Sequence, residues 1–571
     1  MAASAARAAQ RVVIVGGVAG GASCAARLRR LTETAHITIF ERESAVSYAN
    51  CGLPYRVGDL ITDDSKLFVA SAAKFKSWFN VDVHTSHEVL SIDRKARTIT
   101  ARDLASGREF DAPFDALVLS PGAQAIRPPL PGVDLPGIFK MKTVPDAAAV
   151  RAFIEKHKVK SAVVIGGGFI GLEMVENLVH RGIQVTLLEA GPQIMPPLDP
   201  EMVAPIYDVL ADKGVVVALN DGVAGFEQGP DGTGLVVKTA GGAAYPTDMA
   251  MLVIGVRPDT ALAKAAGLDI GQRGGIRVDE HMRTSDPGIF AVGDAVETKD
   301  WITGDWTLCA LAGPANRQGR IAADNIAGRS SAFRGTQGTS VVGVLGLTVA
   351  ATGASEKALK RAGLAYAKVY THANQHAGYY PGASTIDFKL LFDPKDGAIL
   401  GCQATGWEGV DKRVDVVAAL MQKRGSVYDL EEAELCYAPQ YGSAKDALNL
   451  AGMGRVAANH LRGDHPLAQW DEMARVRGEV EAGTAVLVDV REPAEVARGT
   501  VEGALNFPLS TLRANLDQLP KDKRCYVFCQ VGLRGYNATR QLLLSGRDAV
   551  NISGGWRSAQ QAAPGGGASK L

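Results

Sequence analysis

Ser161-Ala-Val-Val-Ile-Gly-Gly-Gly-Phe-Ile-Gly171 is an apolar strand running into a glycine turn, followed by a helical stretch to about Arg181 and a second strand, Val185-Thr-Leu-Leu-Glu189. Strand, turn, helix and strand in that order make a βαβ unit, and Gly166, Gly168 and Gly171 have the spacing G-x-G-x-x-G. The first glycine makes the tight turn and the second lets a pyrophosphate approach the backbone. The third permits close packing of helix on strand, with the phosphate at the helix N-terminus. Glu189, eighteen residues past Gly171, is placed to accept hydrogen bonds from a ribose 2′-hydroxyl and to repel a 2′-phosphate. The unit is expected to take NADH in preference to NADPH.

The same signal occurs roughly 150 residues earlier. Arg11-Val-Val-Ile-Val-Gly-Gly-Val-Ala-Gly-Gly21 leads through a helix to Ile37-Thr-Ile-Phe-Glu41, with Val18 in the place of the middle glycine and Glu41 as the ribose acid. Two further strand-to-loop deliveries follow, Ala116-Leu-Val-Leu-Ser-Pro-Gly-Ala123 and Thr284-Ser-Asp-Pro-Gly-Ile-Phe-Ala-Val-Gly-Asp294. One nucleotide domain is interrupted by another, with boundaries at 1–148, 149–250 and 251–331. From there the pattern changes to an α+β domain over 332–455, with strands Phe388-Lys-Leu-Leu-Phe392 and Ala398-Ile-Leu-Gly401 and a helix around 414–423. A polar linker at 456–472 leads to a further α/β unit, 473–562, opened by Ala485-Val-Leu-Val-Asp489 and Cys525-Tyr-Val-Phe528. The tail, 563–571, is expected to be disordered. The fold class is α/β.

Composition sets limits on partners. At 571 residues the chain is long enough for several cores, and Lys plus Arg equals Asp plus Glu at 61 each. That balance gives no reason to expect nucleic acid or an anionic membrane. No apolar run nears the roughly 18 residues of a membrane span. The Ala-rich N-terminus lacks the bulky apolar core of a secretory signal and reads as a frayed end, so the location is expected to be cytoplasmic. Ser569-Lys570-Leu571 matches a peroxisomal address, which matters only in a cell with peroxisomes. Glycine, 64 residues, is in excess, as suits loops that approach a ligand. The seven cysteines are widely spaced without a C-x-x-C pair, and the ten histidines form no cluster with ligand spacing, so neither a disulfide framework nor a metal site is expected.

The order of these motifs resembles the flavin-dependent pyridine nucleotide disulfide oxidoreductases. The resemblance implies that the first unit binds FAD through Gly16, Gly21, Glu41, Ala123 and Asp294, while Gly166, Gly168, Gly171 and Glu189 hold NADH. In Ser47-Tyr-Ala-Asn-Cys51-Gly-Leu-Pro-Tyr-Arg56 a glutathione-reductase-type enzyme would have a second cysteine at position 56; Arg56 excludes an internal dithiol. A lone Cys51 can instead form a mixed disulfide, a persulfide or a sulfenic acid, and its thiolate needs a pKa lowered by flavin, dipole or basic surroundings. The loop resembles the coenzyme A disulfide reductase branch. That resemblance makes Cys51 the redox nucleophile and Ser23, Arg27, Arg30, Ser47 and Asn50 ligands of coenzyme A. Arg27 and Arg30 share a helix face and suit its phosphates. The branch also places two tyrosines of the partner subunit's interface domain near the sulfur. His376-Ala-Gly-Tyr-Tyr-Pro-Gly382 and Cys436-Tyr-Ala-Pro-Gln-Tyr441 match those stretches, pointing to Tyr379 and Tyr437, with Asn316 and Lys445 as further ligands and a homodimer as the active form.

Val488-Asp-Val-Arg-Glu492 and Cys529-Gln-Val-Gly-Leu-Arg534-Gly resemble a rhodanese domain, in which a six-residue loop wraps a cysteine that carries sulfane sulfur. Inward backbone N–H groups of such a loop favour thiolate and persulfide anions. The resemblance implies Cys529 as sulfur carrier, Arg534 fixing the loop, and Asp489 orienting an arginine. The architecture expected is therefore two Rossmann-like nucleotide domains, an α+β dimerisation domain and a C-terminal rhodanese domain. The expected activity is NADH-driven reduction of coenzyme A persulfide, polysulfide or coenzyme A disulfide. The alternatives are an NADH oxidase or peroxidase working through a sulfenic acid, and a redox-sensing sulfur carrier.

Overall fold

After its exposed first residue, strand Arg11–Val15 is apolar without alternation because both its faces are covered, as in a parallel sheet between layers of helices. It lies at the centre of a five-stranded sheet with the order Ile289–Ala291, Ala116–Leu119, Arg11–Val15, His36–Phe40, Val81–His84, every pair parallel. The second sheet repeats the plan: Val216–Ala218, Gln184–Leu188, Ser161–Ile165, Met249–Leu252, Ile138–Phe139, again all parallel. Each carries a three-stranded antiparallel insertion, His87–Pro113 in the first and Val223–Thr247 in the second. The structure is a computed structural model and describes residues 9–230, 232–449 and 453–563. The expected disordered tail and the Ser-Lys-Leu ending lie almost wholly outside the described residues, which stop at 563.

The chain divides into two compact units, the first formed by Met1–Ile194 with Gly214–Thr336 and the second by Met195–Lys213 with Gln337–Leu571. The second unit holds a five-stranded antiparallel sheet in the order Ser340–Val344, Leu347–Gly353, Ile399–Gly406, Thr385–Phe392, Ala367–Asn374. Helix Val410–Gln422 packs on it, and so does Pro200–Asp212, a segment that the sequence alone would assign to the nucleotide domain. Where the sequence reads as a polar linker, the chain forms helix Met453–Leu461 and strand Leu467–Ala468. That strand joins the edge of the last sheet, whose order is Leu467–Ala468, Ala549–Ile552, Arg524–Phe528, Ala485–Asp489, Leu505–Asn506, all parallel. Two apolar layers cover its faces: Trp470, Tyr526, Phe528 and Ile552 on one side, Val488, Val527, Leu512 and Leu542 on the other.

Candidate functional site

The two glycine loops share one steric plan. Gly16 and Gly166 have φ of 93° and 109°, a region where a side chain is strained. A Cβ at Gly21 would stand 1.9 Å from the Gly16 carbonyl oxygen, and one at Gly171 1.9 Å from that of Gly166. Each third glycine therefore lets its helix, Ala19–Arg29 or Phe169–His180, start hard against the turn. Beyond Gly168 there is open space, a cradle that a side chain would fill. The acids are held alike. Glu41 accepts the Gly17 and Glu43 N–H groups at 2.7 and 2.9 Å, and Glu189 accepts those of Gly167 and Gly191, both at 2.7 Å. Burial pushes the Glu41 carboxyl up, against the pull of those N–H groups.

Gly16, Glu41, Ala123 and Asp294 all follow the carboxyl ends of strands in the first sheet, where ligands bind in such folds. Asp294 lies 3.4 Å from Lys142 Nζ, and the preceding Gly293 donates its N–H to Gln318 Oε1 at 2.7 Å.

Cys51 sits in the single turn Asn50–Gly52, ahead of helix Leu53–Val57, and is exposed. The sequence calls for a lowered thiol pKa, and the structure moves it the other way. Desolvation of the sulfur raises it first, then the charges of Glu173 and Asp294, with Lys142 opposing. Glu173, on helix Phe169–His180, is itself pushed up to about 7 by burial and by Glu176. Sequence reading missed it, although one acid in the apolar run Phe169-Ile-Gly-Leu-Glu-Met-Val175 was a usable signal. Lys142 gave none.

Of the expected coenzyme A residues, Ser23 and Asn316 meet side chain to side chain, Ser23 Oγ donating to Asn316 Oδ1. They are brought together by helices Ala19–Arg29 and Ala312–Ile326, which touch closely because a Cβ at Gly319 would stand 2.3 Å from the Gly20 oxygen. On the same pair Arg27 is tied to Asp324 at 2.7 Å, so its charge is already compensated. Arg30 is exposed at the helix end, with no salt bridge among the described residues. Ser47 takes a left-handed φ of 50° and donates its N–H to Gly17 O at 2.8 Å; Asn50 donates to Lys142 O at 3.3 Å.

In the second unit the hydroxyls of Tyr379 and Tyr437 are 2.9 Å apart, on side chains that are 77% and 50% exposed. Ala377 N–H donates to Gly442 O at 2.9 Å and holds their two loops together. Lys445 is exposed beyond the second loop.

The last sheet delivers Cys529 at the end of Arg524–Phe528, buried, with the Gly532 N–H aimed at its Sγ at 3.2 Å. Arg534 grips Glu495 with two hydrogen bonds of 2.6 and 2.7 Å, which hold the Glu495 carboxyl down to about 2. Asp489 pairs with Arg491 at 2.6 Å, both fully buried, and Arg491 reaches Gln530 Oε1 of the loop at 3.2 Å. Glu495 was not read from sequence; it lies at the third position of helix Pro493–Val496, where it also closes a capping box.

A family model for pyridine nucleotide-disulphide oxidoreductases matches residues 10–319, more than half of the chain. The chain belongs to that family. The dimerisation domain of the pyridine nucleotide-disulphide oxidoreductases matches 339–447, and a rhodanese-like domain matches 472–562. Among relatives, an NADH oxidase of Methanocaldococcus jannaschii is 35% identical over 77% of this chain and 97% of its own length. A coenzyme A disulfide reductase of Staphylococcus haemolyticus is 32% identical over 78% and 98%. Among solved structures, reduced CoADR-RHD of Bacillus anthracis superimposes with a TM-score of 0.94 at 45% identity, covering 98% of this chain and 99% of that one. An NAD-dependent persulfide reductase of A. fulgidus gives 0.87 at 34%, covering 96% and 99%.

Membership of the pyridine nucleotide-disulphide oxidoreductases implies FAD and NAD(H), and the residues fit both. The open space at Gly168 and the crowding of Gly16 against Ser120 O, 2.1 Å from an added Cβ, leave backbone at the two mouths, with the tethered carboxylates of Glu41 and Glu189 beside them. No helix among the described residues is long and apolar enough to cross a membrane. One acidic cluster among them, Asp199, Glu201 and Glu356, has metal-like spacing, but Lys389 Nζ lies 2.9, 2.5 and 2.5 Å from its three members.

Proposed function

We propose that this oxidoreductase uses NADH and FAD to reduce coenzyme A persulfide, polysulfide or coenzyme A disulfide through Cys51, and that Cys529 carries sulfane sulfur for the same chemistry. The observation that carries the reading is one chain with a lone redox thiol, Arg56 standing where a second would be, and a loop wrapped over a buried Cys529. The full-length likeness to a CoADR-RHD and to a persulfide reductase supports it.

Glu41 and the Gly16 loop would hold FAD, and Glu189 and the Gly166 loop NADH. Bound FAD would supply the electron pair, taken from NADH, that reduces a disulfide bond at Cys51. The Cys51 thiolate attacks the inner sulfur of coenzyme A persulfide, forming a mixed disulfide and expelling hydrosulfide. Two electrons and a proton then return Cys51 as thiolate and release coenzyme A as thiol. Ser23, Asn316 and Arg30 bind the coenzyme A, with Ser47, Asn50, Arg27 and Lys445 at its margins. Tyr379 and Tyr437, reaching in from the partner subunit of a homodimer, donate the proton. Seven free cysteines suit a reducing cytoplasm.

NADH consumption and sulfide release with coenzyme A persulfide test the reading. Cys51→Ser is expected to abolish both, while Cys529→Ser keeps them and loses only transfer from other sulfur donors. Full activity in Cys51→Ser would overturn it. The relative named as an NADH oxidase favours a second reading, an oxidase or peroxidase using a Cys51 sulfenic acid. Peroxide-dependent NADH consumption exceeding the persulfide-dependent rate would select it.

A further inference from the structure

The short segment after strand Ala549–Ile552 touches two things at once. Gly554 and Gly555 both have left-handed φ, 71° and 63°. A Cβ on Gly555 would stand 2.4 Å from the carbonyl oxygen of Cys529, and one on Gly554 would stand 2.7 Å from Cβ of Tyr370, on strand Ala367–Asn374 of the antiparallel sheet. Helix Gly555–Ala562 then begins, and its first N–H groups hold the sulfur loop. Trp556 N–H donates to Cys529 O at 2.7 Å and Arg557 N–H to Gln530 O at 3.0 Å.

The side chain of Arg557 points the other way. Its Nε and Nη2 donate to Asp387 Oδ1 and Oδ2 at 2.5 and 3.0 Å. Asp387, on strand Thr385–Phe392, is 2% exposed, while the Arg557 side chain that meets it is 37% exposed, so the pair is buried on its acid side and open on its guanidinium side. It is fixed further by His372, its register partner on the neighbouring strand, at 2.6 Å, and by Gln561 Nε2 at 2.7 Å. His372 closes the circuit on Ser558 Oγ at 2.8 Å. A single residue thus grips the antiparallel sheet with its guanidinium and the Cys529 loop with its backbone.

We propose that Arg557 is a positioning residue through which the dimerisation-domain sheet, by way of Asp387, fixes the Cys529 loop in its sulfur-carrying conformation. The proposal rests on the reading of Cys529 as a sulfur carrier. It gives the antiparallel sheet a second role, as the wall against which the last domain holds its reactive loop closed. The loop buries Cys529 and aims the Gly532 N–H at its sulfur; both features depend on the carbonyls of Cys529 and Gln530 staying docked on the helix that Arg557 anchors.

The test uses the full-length chain as Arg557→Ala, Asp387→Asn and Arg557→Lys. Two readouts are taken: alkylation of individual cysteines by iodoacetamide, followed by mass spectrometry, and sulfur transfer from thiosulfate to cyanide. Cys525, buried on the strand that ends at the loop, reports general loosening of the domain. In Arg557→Ala and Asp387→Asn, Cys529 is expected to alkylate at least tenfold faster while Cys525 stays protected. The kcat for sulfur transfer is expected to fall by about tenfold to a hundredfold with KM for thiosulfate nearly unchanged. Arg557→Lys, which keeps one charged donor, recovers part of both. Wild-type alkylation of Cys529 in both variants would overturn the proposal, and so would equal acceleration of Cys529 and Cys525. A wild-type chain that transfers no sulfur would sink the carrier reading instead, and the alkylation arm would still decide the role of Arg557.

Discussion

At Cys51 the surroundings oppose the thiolate on which the proposed chemistry depends. Desolvation of the sulfur by the groups around it is the largest cause, and the charges of Glu173 and Asp294 add to it. Glu173 titrates near 7, so it is mostly neutral below that pH and mostly charged above it; its hindrance of Cys51 is switched on as pH rises through 7. In Glu173→Gln that component is gone at every pH. Cys51 is expected to alkylate about three to ten times faster in this variant at pH 8 and at nearly the wild-type rate at pH 6, read by mass spectrometry of the labelled peptide. An equal change at both pH values would mean that Glu173 acts on Cys51 by shape and not by charge. Glu189 gives a second prediction at this scale. Its carboxylate is already oriented by two backbone N–H groups, so Glu189→Gln loses the charge and leaves one of them facing an amide donor. KM for NADH is expected to rise about tenfold and discrimination against NADPH to narrow, in steady-state assays with both nucleotides.

Helices and strands meet here where glycine removes the obstacle, and that is why so much of the nucleotide architecture is legible in sequence. The third glycine of each loop is demanded by a carbonyl oxygen only five residues earlier, a local steric requirement that leaves a fixed spacing. Gly319 answers a contact that is also too tight for a side chain, 2.3 Å from Gly20 O, but its partner is about 300 residues away and no spacing records it. Gly319→Ala is expected to push helix Ala312–Ile326 off Ala19–Arg29, costing about 1–3 kcal/mol in denaturant unfolding and raising KM for coenzyme A substrates through the displaced Asn316. The buried Lys389 is illegible for the same reason. Asp199 and Glu201 open one helix, Glu356 opens another and Lys389 is mid-strand, and none is unusual in its own segment. Desolvation would lower the Lys389 pKa, yet the three carboxylates raise it above the usual lysine value. Lys389→Met strands those carboxylates and is expected to cost roughly 3–5 kcal/mol, measured by chemical denaturation of the full chain.

For the molecule as a whole, the proposed function makes the oligomer part of the question, because it takes Tyr379 and Tyr437 from a partner subunit. Tyr379, Tyr380, Tyr437 and Tyr441 are all exposed in the single chain, at 77, 42, 50 and 68%. Such a patch of exposed aromatic side chains is characteristic of an interface. The two stretches that hold them are distinguishable in sequence only by likeness to relatives; nothing in their periodicity says that the hydroxyls of Tyr379 and Tyr437 come within 2.9 Å of each other. If the pair serves the Cys51 of a partner subunit, two inactive homodimers can repair each other. One preparation carries Cys51→Ser, the other Tyr379→Phe with Tyr437→Phe. After subunit exchange half of the dimers are mixed, and each mixed dimer has one site with an intact thiol and intact tyrosines beside one with neither. Recovery of roughly a quarter of wild-type persulfide reduction is expected, as a two-fold symmetric dimer requires. No recovery, with exchange verified by native mass spectrometry, would place the tyrosines in the service of their own chain or of no chemistry at all.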